Sequence, residues 1–316
     1  MKRILITGAY GQIGTELSSY LRDIYGEHFV VTSHFVDKGR EESKTGKFEV
    51  IDVTQMDHIE RAVITHDIDT IIHLAAVLSA KAEKRPHASW RVNMDGLTNV
   101  LEVALKHGLQ VFHPSSIGAF GPSSPQDHTP QICIQRPTSI YGVSKVAGEI
   151  LSDYYVHTLG VDVRGLRFPG LVSYVALPGG GTTDYAVDIY YQALKYGKYT
   201  SYLREDTYLD MMYMPDALKS IVQLMETDKN KLHHYNAYNV SAMSICPKDM
   251  EHSIRKFIPD FKIDYEIDPV RQAIADSWPN SLDISEAQND WGFNPEYNLD
   301  RMTEDMLKRL KEKGIY

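Results

Sequence analysis

The stretch Gly8-Ala9-Tyr10-Gly11-Gln12-Ile13-Gly14 lies between a short apolar run, residues 3–7, and a helical pattern that continues to about residue 25. A strand, a glycine-rich turn and a helix in this order are typical of a dinucleotide-binding site. A Cβ would block the tight turn and the close approach of a pyrophosphate, which the N–H groups of the following helix bind. A plain turn between a strand and a helix is the alternative. We predict that the turn, spaced G-x-x-G-x-x-G, holds a dinucleotide.

Further apolar runs alternate with helical patterns along the chain. The predicted strands after the first are 29–33, 48–51, 69–74, 111–114, 161–167, 209–213 and 235–240. Strands that alternate with helices of this length predict an α/β fold of the Rossmann type, with a doubly wound parallel sheet and a smaller C-terminal substrate lobe. We predict an NAD-binding domain over 1–170 plus about 208–241, and a substrate-binding lobe over about 171–207 and 242–316.

The residue at the end of the second predicted strand affects how an adenosine ribose is bound. An acid at this position hydrogen-bonds the ribose hydroxyls of NAD. Here the residue is His34, and Asp37 follows three positions later. A histidine can hydrogen-bond a ribose, but it does not repel a 2′-phosphate, so the choice between NAD and NADP stays open. Asp37 is either a substitute acid or a solvated turn residue.

Tyr141 and Lys145 lie four residues apart in a helical pattern, a spacing that places both side chains on one helix face. A phenol ionises near pH ~10, and a fixed cation beside it lowers that pKa. Ser115 and Ser116 follow the fifth predicted strand, at the sheet edge where open α/β folds bind ligands. For the pair alone, an accident of a surface helix is the more frequent explanation. Together with Ser116 and the glycine-rich turn, the pair predicts a tyrosine that acts as a general base.

Size and composition narrow the class of protein. The chain has 316 residues and a net charge of −9 with acids and bases mixed, which favours neither nucleic-acid binding nor a membrane-binding surface. Cys133 and Cys246 lie far apart, and neither is in a ligand-spaced cluster, so we expect no disulfide framework and no metal site. No apolar run is long enough to span a bilayer, and the first strand leaves no room for a leader peptide. We expect a cytoplasmic protein.

Four motifs in the first 170 residues resemble the extended short-chain dehydrogenase/reductase superfamily. They are the segment 7–14, His73-Leu74-Ala75-Ala76, Pro114-Ser115-Ser116 and the segment 141–145. Within that superfamily, four later segments resemble the short-chain L-threonine 3-dehydrogenases, namely 177–186, 210–217, 277–283 and 290–292. The resemblance covers nearly the whole chain, and it departs from the family at His34, where an acid is usual.

The resemblance implies NAD-dependent oxidation of L-threonine at its C3 hydroxyl to 2-amino-3-ketobutyrate, in a cytosolic homodimer that serves threonine catabolism. The predicted catalytic residues are Tyr141, Lys145 and Ser116. The predicted cofactor-binding residues are Gly8, Gly11, Gln12, Ile13, Gly14, His34, Asp52, Val53, Leu74, Ala75, Ala76, Asn93, Tyr141, Lys145 and Leu171. The predicted substrate-binding residues are Ser79, Ser115, Ser116, Tyr141, Gly180, Thr182, Thr183, Asp184 and Trp278. The alternative functions are a sugar-nucleotide epimerase or dehydratase and a non-catalytic NAD(P)-binding regulator.

Overall fold

The structure of the protein is a computed structural model that describes residues 1–36, 46–175 and 181–316. Within those ranges, no helix has the length and the apolar character needed to cross a membrane. The strands of those ranges are β1 (Ile4–Thr7), β2 (Val30–His34), β3 (Lys47–Val50), β4 (Thr70–His73), β5 (Gln110–Phe112), β6 (Ser115–Ser116), β7 (Val163–Arg164), β8 (Leu166–Phe168), β9 (Gly170–Val172), β10 (Lys198–Ser201), β11 (Leu209–Tyr213), β12 (Tyr238–Asn239), β13 (Met243–Ile245) and β14 (Lys262–Tyr265).

The main sheet of the described residues has six strands in the order β3-β2-β1-β4-β5-β7, and each neighbouring pair is parallel. The chain starts in the middle of this sheet and winds outwards to both sides, which confirms the predicted Rossmann-type fold. The residues of β1 are all buried, and this explains the continuous apolar run that the sequence shows there. The carboxyl ends of β1, β4 and β5 therefore share one edge of the sheet.

Helices flank these strands along the chain. In the described ranges they are α1 (Gln12–Tyr25), α2 (Met56–His66), α3 (Ser79–Lys84), α4 (Pro86–Trp90), α5 (Gly96–His107), α6 (Ile140–His157), α7 (Tyr185–Tyr196), α8 (Met214–Glu226), α9 (Pro247–Arg255), α10 (Pro269–Asp276), α11 (Ser285–Trp291) and α12 (Leu299–Glu312). A π-helical segment, Arg91–Asp95, joins α4 to α5. The start of α6 is fixed by Ser139, whose side chain accepts a hydrogen bond from the Gly142 N–H at 3.0 Å.

The predicted strand over 161–167 is divided in two. The first part, β7, stays in the main sheet beside β5, whereas β8 belongs to a separate sheet with the order β12-β8-β6. The break falls at Gly165, where a Cβ would lie 2.4 Å from the His113 carbonyl oxygen. The predicted strand over 235–240 is likewise only the short β12 of this small sheet.

The chain forms two compact units. The first comprises Met1–Ser116, Ser139–Arg167 and Leu218–Tyr238, and the second comprises Ile117–Thr138, Phe168–Ala217 and Asn239–Tyr316. The second unit thus contains residues 117–138 and 208–217, which the sequence prediction placed in the NAD-binding domain. The assignment of the cofactor to one unit and of the substrate to the other stays a prediction.

Asp210 is a buried carboxyl group on β11 of the second unit, with an exposed fraction of 2%. It accepts hydrogen bonds from the Ser241 hydroxyl and from the Leu282 N–H, the latter at 2.7 Å. Burial raises the pKa of Asp210 to about 7, and the two hydrogen bonds act in the opposite direction. The group joins three chain segments, but its charged form lacks the solvation that water would give it.

We expect the Asp210→Asn variant to lose part of the pH dependence of stability. The folded pKa of about 7 exceeds the unfolded value of about 3.9, so the stabilisation is complete below pH ~4 and is lost as the pH rises through the folded value. Asparagine keeps both contacts, because its oxygen can accept from Leu282 and its amide can donate to Ser241.

Thermal unfolding between pH ~4 and ~8 tests this, because the Tm of the wild type should fall relative to that of Asp210→Asn as the pH rises. Parallel Tm profiles of the two proteins would show that this carboxyl group does not titrate in the expected window.

Candidate active site

The glycine-rich turn brings two segments of backbone into direct contact. Gly8 has a φ of 71°, and a Cβ there would lie 2.6 Å from the backbone nitrogen of Ala75, which follows β4. At Gly14, a Cβ would lie 2.7 Å from the Cα of Ala9. The turn closes where the Gly11 N–H donates to the Gly8 carbonyl at 2.9 Å. Only glycine allows these approaches without a shift of the backbone.

The amino end of α1 directly follows this turn. Its N-cap is Gly11, which has no side chain to accept from the first N–H groups, and the first turn of the helix contains no acidic residue. The helix dipole adds positive character at this end. The turn and the helix end therefore fit a pyrophosphate, and Gln12 and Ile13 stay predicted contacts.

His34 ends β2 within a group of aromatic rings. Its ring centroid lies 5.2 Å from that of Tyr10 in the glycine-rich turn and 4.7 Å from that of Phe35. Tyr10 in turn stacks on Phe48 at 5.3 Å. His34 is thus held beside the turn, at the strand end where related folds bind the ribose. Its ribose contact stays a prediction, and Asp37 lies outside the described residues.

Asp52 and Val53 follow β3, and both have structural contacts of their own. The Asp52 carboxylate accepts from the Thr54 N–H at 3.0 Å and from the Thr54 hydroxyl at 2.8 Å, which stabilises the turn before α2. Val53 is buried, and its side chain lies against Gly96 of α5, where a Cβ would approach it to 2.8 Å. Their contacts with the adenine stay predictions.

Asn93 lies in the π-helical segment and joins the chain after β4 to α6. Its side-chain oxygen accepts from the Val77 N–H at 2.8 Å, and its amide donates to the Val77 carbonyl at 3.2 Å and to the Ser144 hydroxyl at 3.1 Å. Val77 follows Leu74-Ala75-Ala76, the predicted cofactor-binding segment. Segments of π-helix often occur at functional sites. Here the segment positions the Asn93 side chain so that it hydrogen-bonds both to Val77 and to Ser144 on α6.

Ser116, Tyr141 and Lys145 come together in the first unit. The Ser116 side chain hydrogen-bonds to Tyr141, and the Lys145 Nζ lies 5.6 Å from the centre of the Tyr141 ring. Lys145 also donates to the Pro114 carbonyl at 2.7 Å. Tyr141 and Lys145 are both buried, on the inner face of α6. The arrangement supplies an ionisable phenol, a hydroxyl and a cation in one place.

Burial shifts the pKa values of both Tyr141 and Lys145. The sequence predicts a lowered pKa at Tyr141, but burial raises this pKa and only the Ser116 hydrogen bond acts against it. Burial also lowers the pKa of Lys145 to about 8, whereas Glu149 acts to raise it. The predicted lowering depends on Lys145 together with the positive ring of bound NAD, so it stays a prediction.

Two buried histidines lie beside Lys145, and sequence reasoning did not assign a role to either. The ring centroids of His73 and His113 are 6.0 Å apart, and the His73 Nδ1 lies 2.8 Å from the Thr7 hydroxyl oxygen. Burial, with a smaller contribution from the Lys145 charge, lowers the pKa of His73 to about 3 and that of His113 well below its usual value. Both rings are therefore neutral at physiological pH.

Ser115, predicted to bind substrate, is buried, and its hydroxyl donates to Glu149. Sequence reasoning missed Glu149, although it continues the spacing of Tyr141 and Lys145 by four more residues. That periodicity was the available signal. Ser79, another predicted substrate residue, is the first residue of α3 in the same unit. The substrate contacts of both serines stay predictions.

The other predicted substrate residues belong to the second unit, except Gly180, which lies outside the described residues. A short 3-10 helix, Thr182–Asp184, precedes α7, and the Asp184 carboxylate accepts from the Gly181 N–H at 2.7 Å. Asp184 thus caps this turn. Trp278 and the predicted cofactor residue Leu171 are buried in the same unit. Their ligand contacts stay predictions.

A doubly wound sheet, a glycine-rich turn at a helix amino end and a tyrosine paired with a serine and a lysine are typical of one class of proteins, the nicotinamide-dependent oxidoreductases. The family model described as "NAD dependent epimerase/dehydratase family" matches residues 4–241. The chain belongs to this family, and its cofactor is NAD.

Known proteins resemble the chain over nearly its full length. A Staphylococcus saprophyticus protein described as an uncharacterised epimerase/dehydratase is 54% identical over 314 residues, which are 99% of this chain and 98% of that protein. The structure of L-threonine dehydrogenase from Clostridium difficile has a TM-score of 0.98 and 56% identity, and the match covers 100% of this chain and 99% of that one. The holo form of a GalE-like L-threonine dehydrogenase from Cupriavidus necator has a TM-score of 0.94 and 47% identity, with 98% and 99% covered.

We expect Gly8→Ala to weaken NAD binding at least about tenfold, which corresponds to about 1.4 kcal/mol. The added Cβ would lie 2.6 Å from the Ala75 backbone, so the turn has to move from the position that admits a pyrophosphate. Gly108→Ala is the matched control, because Gly108 has a similar φ of 67° but nothing within 4 Å of the added atom.

Calorimetric titration with NAD measures the effect, and the control should keep the wild-type affinity. An equal loss in both variants would assign the effect to backbone strain and contradict the role of the close contact.

Proposed function

We propose that the protein oxidises L-threonine at its C3 hydroxyl to 2-amino-3-ketobutyrate with NAD. The observation that carries this proposal is the hydrogen bond between Ser116 and Tyr141 beside the buried ammonium group of Lys145. The choice of threonine is supported by the identity of 47% and 56% to two solved L-threonine dehydrogenases. The staphylococcal relative has only the broader description of an epimerase/dehydratase, so the substrate is the point to test.

In the proposed mechanism, Tyr141 is the general base that takes the proton of the C3 hydroxyl. Ser116 hydrogen-bonds the same substrate oxygen and fixes its direction. Bound NAD would supply the acceptor for the C3 hydride and the positive charge of an oxidised ring. Lys145 stabilises the phenolate by its charge. Because burial raises the pKa of Tyr141, the base depends on these nearby positive charges.

The two charged ends of threonine also need partners. We assign the ammonium group to Asp184 and the carboxylate to the N–H groups of the turn from Gly180 to Thr183. The support is the 3-10 helix Thr182–Asp184, which brings a carboxylate and two hydroxyl side chains into one turn at the start of α7. Trp278 is the proposed wall of the substrate site.

A simple assay tests the substrate. The wild type with NAD should form NADH with L-threonine and not with UDP-sugars, because an epimerase makes no net NADH. Tyr141→Phe removes only the hydroxyl and should lower kcat by about 10²–10⁴-fold. Tyr196→Phe is the matched control, because Tyr196 is an exposed residue at the end of α7, and it should keep the wild-type rate.

Two outcomes would contradict the proposal. Turnover by Tyr141→Phe at nearly the wild-type rate would exclude this phenol as the base. NADH formation with a UDP-sugar and none with threonine would replace the proposed substrate.

We also propose that two copies of the chain pair through α6. Val143, Ile150 and Tyr154 lie on one face of this helix, and their exposed fractions are 40%, 63% and 52%. A net charge of −9 makes copies repel one another except where uncharged faces meet. A two-fold axis brings the same face of both copies together, so a second copy suits this uncharged face.

We expect Ile150→Lys to convert the dimer into a monomer, because it places two ammonium groups in an apolar interface. Ile132→Lys is the matched control, since Ile132 is 78% exposed and lies in the second unit, outside α6. Sedimentation equilibrium should give about twice 35.9 kDa for the wild type and for the control. A wild type with the mass of one chain, or an Ile150→Lys protein with the mass of two chains, would overturn the assigned interface.

A further inference from the structure

A third polar side chain continues the row formed by Tyr141 and Lys145 on α6. Glu149 follows Lys145 by four residues, and all three lie on the buried face of the helix. The exposed fraction of Glu149 is only 4%. Since an isolated buried carboxylate is strongly disfavoured, its partners have to account for its presence.

Arg167 on β8 is the charged partner of Glu149. Its Nε donates to one carboxylate oxygen at 3.0 Å, and one of its terminal nitrogens donates to the other at 2.8 Å. The Arg167 side chain is itself only 9% exposed. Such two-pronged arginine–carboxylate contacts are strong and directional, so the ion pair fixes the position of the Glu149 carboxylate.

Ser115 on β6 is a second partner, because its hydroxyl donates to the same carboxylate. Ser115 directly precedes Ser116, the residue that hydrogen-bonds to Tyr141. The carboxylate thus connects α6 with the short strand that holds Ser116. A displaced carboxylate would therefore shift Ser116 relative to Tyr141.

The charge of Glu149 also acts on Lys145. Burial lowers the pKa of Lys145 to about 8, and the Glu149 carboxylate acts to raise it. Since Lys145 is useful to a phenolate only as an ammonium ion, a nearby buried carboxylate extends the pH range in which that ion exists.

We propose that Glu149 is a positioning residue, whose carboxylate is fixed one helix turn from Lys145 and holds Ser116 at Tyr141 through Ser115. The proposal rests on the proposed function in one respect, because it takes Tyr141 as the catalytic base. The proposed effect of Glu149 on Lys145 does not depend on which substrate is used.

The other titratable groups near Lys145 do not interfere with a titration of Lys145 above pH ~7. His73 and His113 are neutral there, since burial lowers both pKa values far below this range. The pKa of Tyr141 is raised above its usual value, so the phenol titrates later. Asp153, one further turn along α6, has a raised carboxyl pKa mainly because of burial and accepts from the Asn236 amide.

The direct test is the titration of Lys145 by NMR of the protein with ¹³C-labelled lysine side chains, with the resonance assigned by its absence in Lys145→Met. In the wild type we expect a midpoint at about pH 8. In Glu149→Gln, which keeps the shape and an accepting oxygen but removes the charge, we expect a midpoint lower by roughly one pH unit. An unchanged midpoint would overturn the proposal.

Two further variants keep the result interpretable. Glu149→Gln leaves the Arg167 cation buried without its partner, which can prevent folding. The double variant Glu149→Gln/Arg167→Met removes both charges, and we expect a smaller downward shift because the lost cation acts in the opposite direction. Asp153→Asn is the matched control for the loss of one negative charge from α6, and it should shift the midpoint much less than Glu149→Gln. Equal shifts in the two would show a general charge effect and no special role for Glu149.

Turnover separates this proposal from the proposed function. With threonine and NAD, the low-pH limit of activity belongs to the base, whereas the high-pH limit should move to lower pH in Glu149→Gln by about the shift found for Lys145. A purely structural role would lower the rate without moving that limit, and would contradict the proposal. If the wild type forms no NADH from threonine, the proposed function fails, and the NMR titration still decides the role of Glu149.

Discussion

The burial of polar side chains on one face of α6 is the constraint on which the candidate active site depends. An inner helix face is normally apolar, because each polar group placed there loses its hydration. Burial of Tyr141 and Lys145 is unfavourable for this reason, and hydrogen bonds from the surrounding backbone and side chains reduce the loss of free energy. Pro114 supplies a carbonyl to the ammonium group, and Ser116 supplies a hydroxyl to the phenol. The parallel sheet is what brings these partners to the helix.

The main sheet fulfils this role because its strand ends lie at one edge. The Gly8 turn follows β1, Ala75 follows β4 and Pro114 follows β5, so three adjacent strands each deliver one part of the site. The close approach of Gly8 to Ala75 sets how tightly these ends can lie together. The position of the glycine-rich turn and that of the residues around Lys145 are therefore consequences of one packing arrangement within the first unit.

Local patterns predicted the parts of the fold that local forces decide. The strand, glycine turn and helix around Gly8 follow from residue type and spacing alone, and so does the placement of Tyr141 and Lys145 on one helix face. The break at Gly165 and the raised pKa of Tyr141 were not predictable in this way, because each depends on a distant segment or on burial. The contacts of Glu149 were not predictable either, since its partners Ser115 and Arg167 are 34 and 18 residues away. The unit to which the segment 117–138 belongs could not be predicted either, because it depends on contacts with segments that are distant in the sequence.

The π-helical segment Arg91–Asp95 has a consequence for how this chain tolerates a change in length. A helix with a π-turn holds one residue more than a regular α-helix of the same number of turns. Loss of one residue here would regularise the backbone hydrogen bonds. Because the number of turns stays the same, the flanking helices would keep nearly their present rotation, and only the side chains inside the segment would take new directions. Asn93 would then point away from Val77 and Ser144, which it now joins. A deletion that makes the helix more ideal would thus disconnect the two elements beside the candidate site.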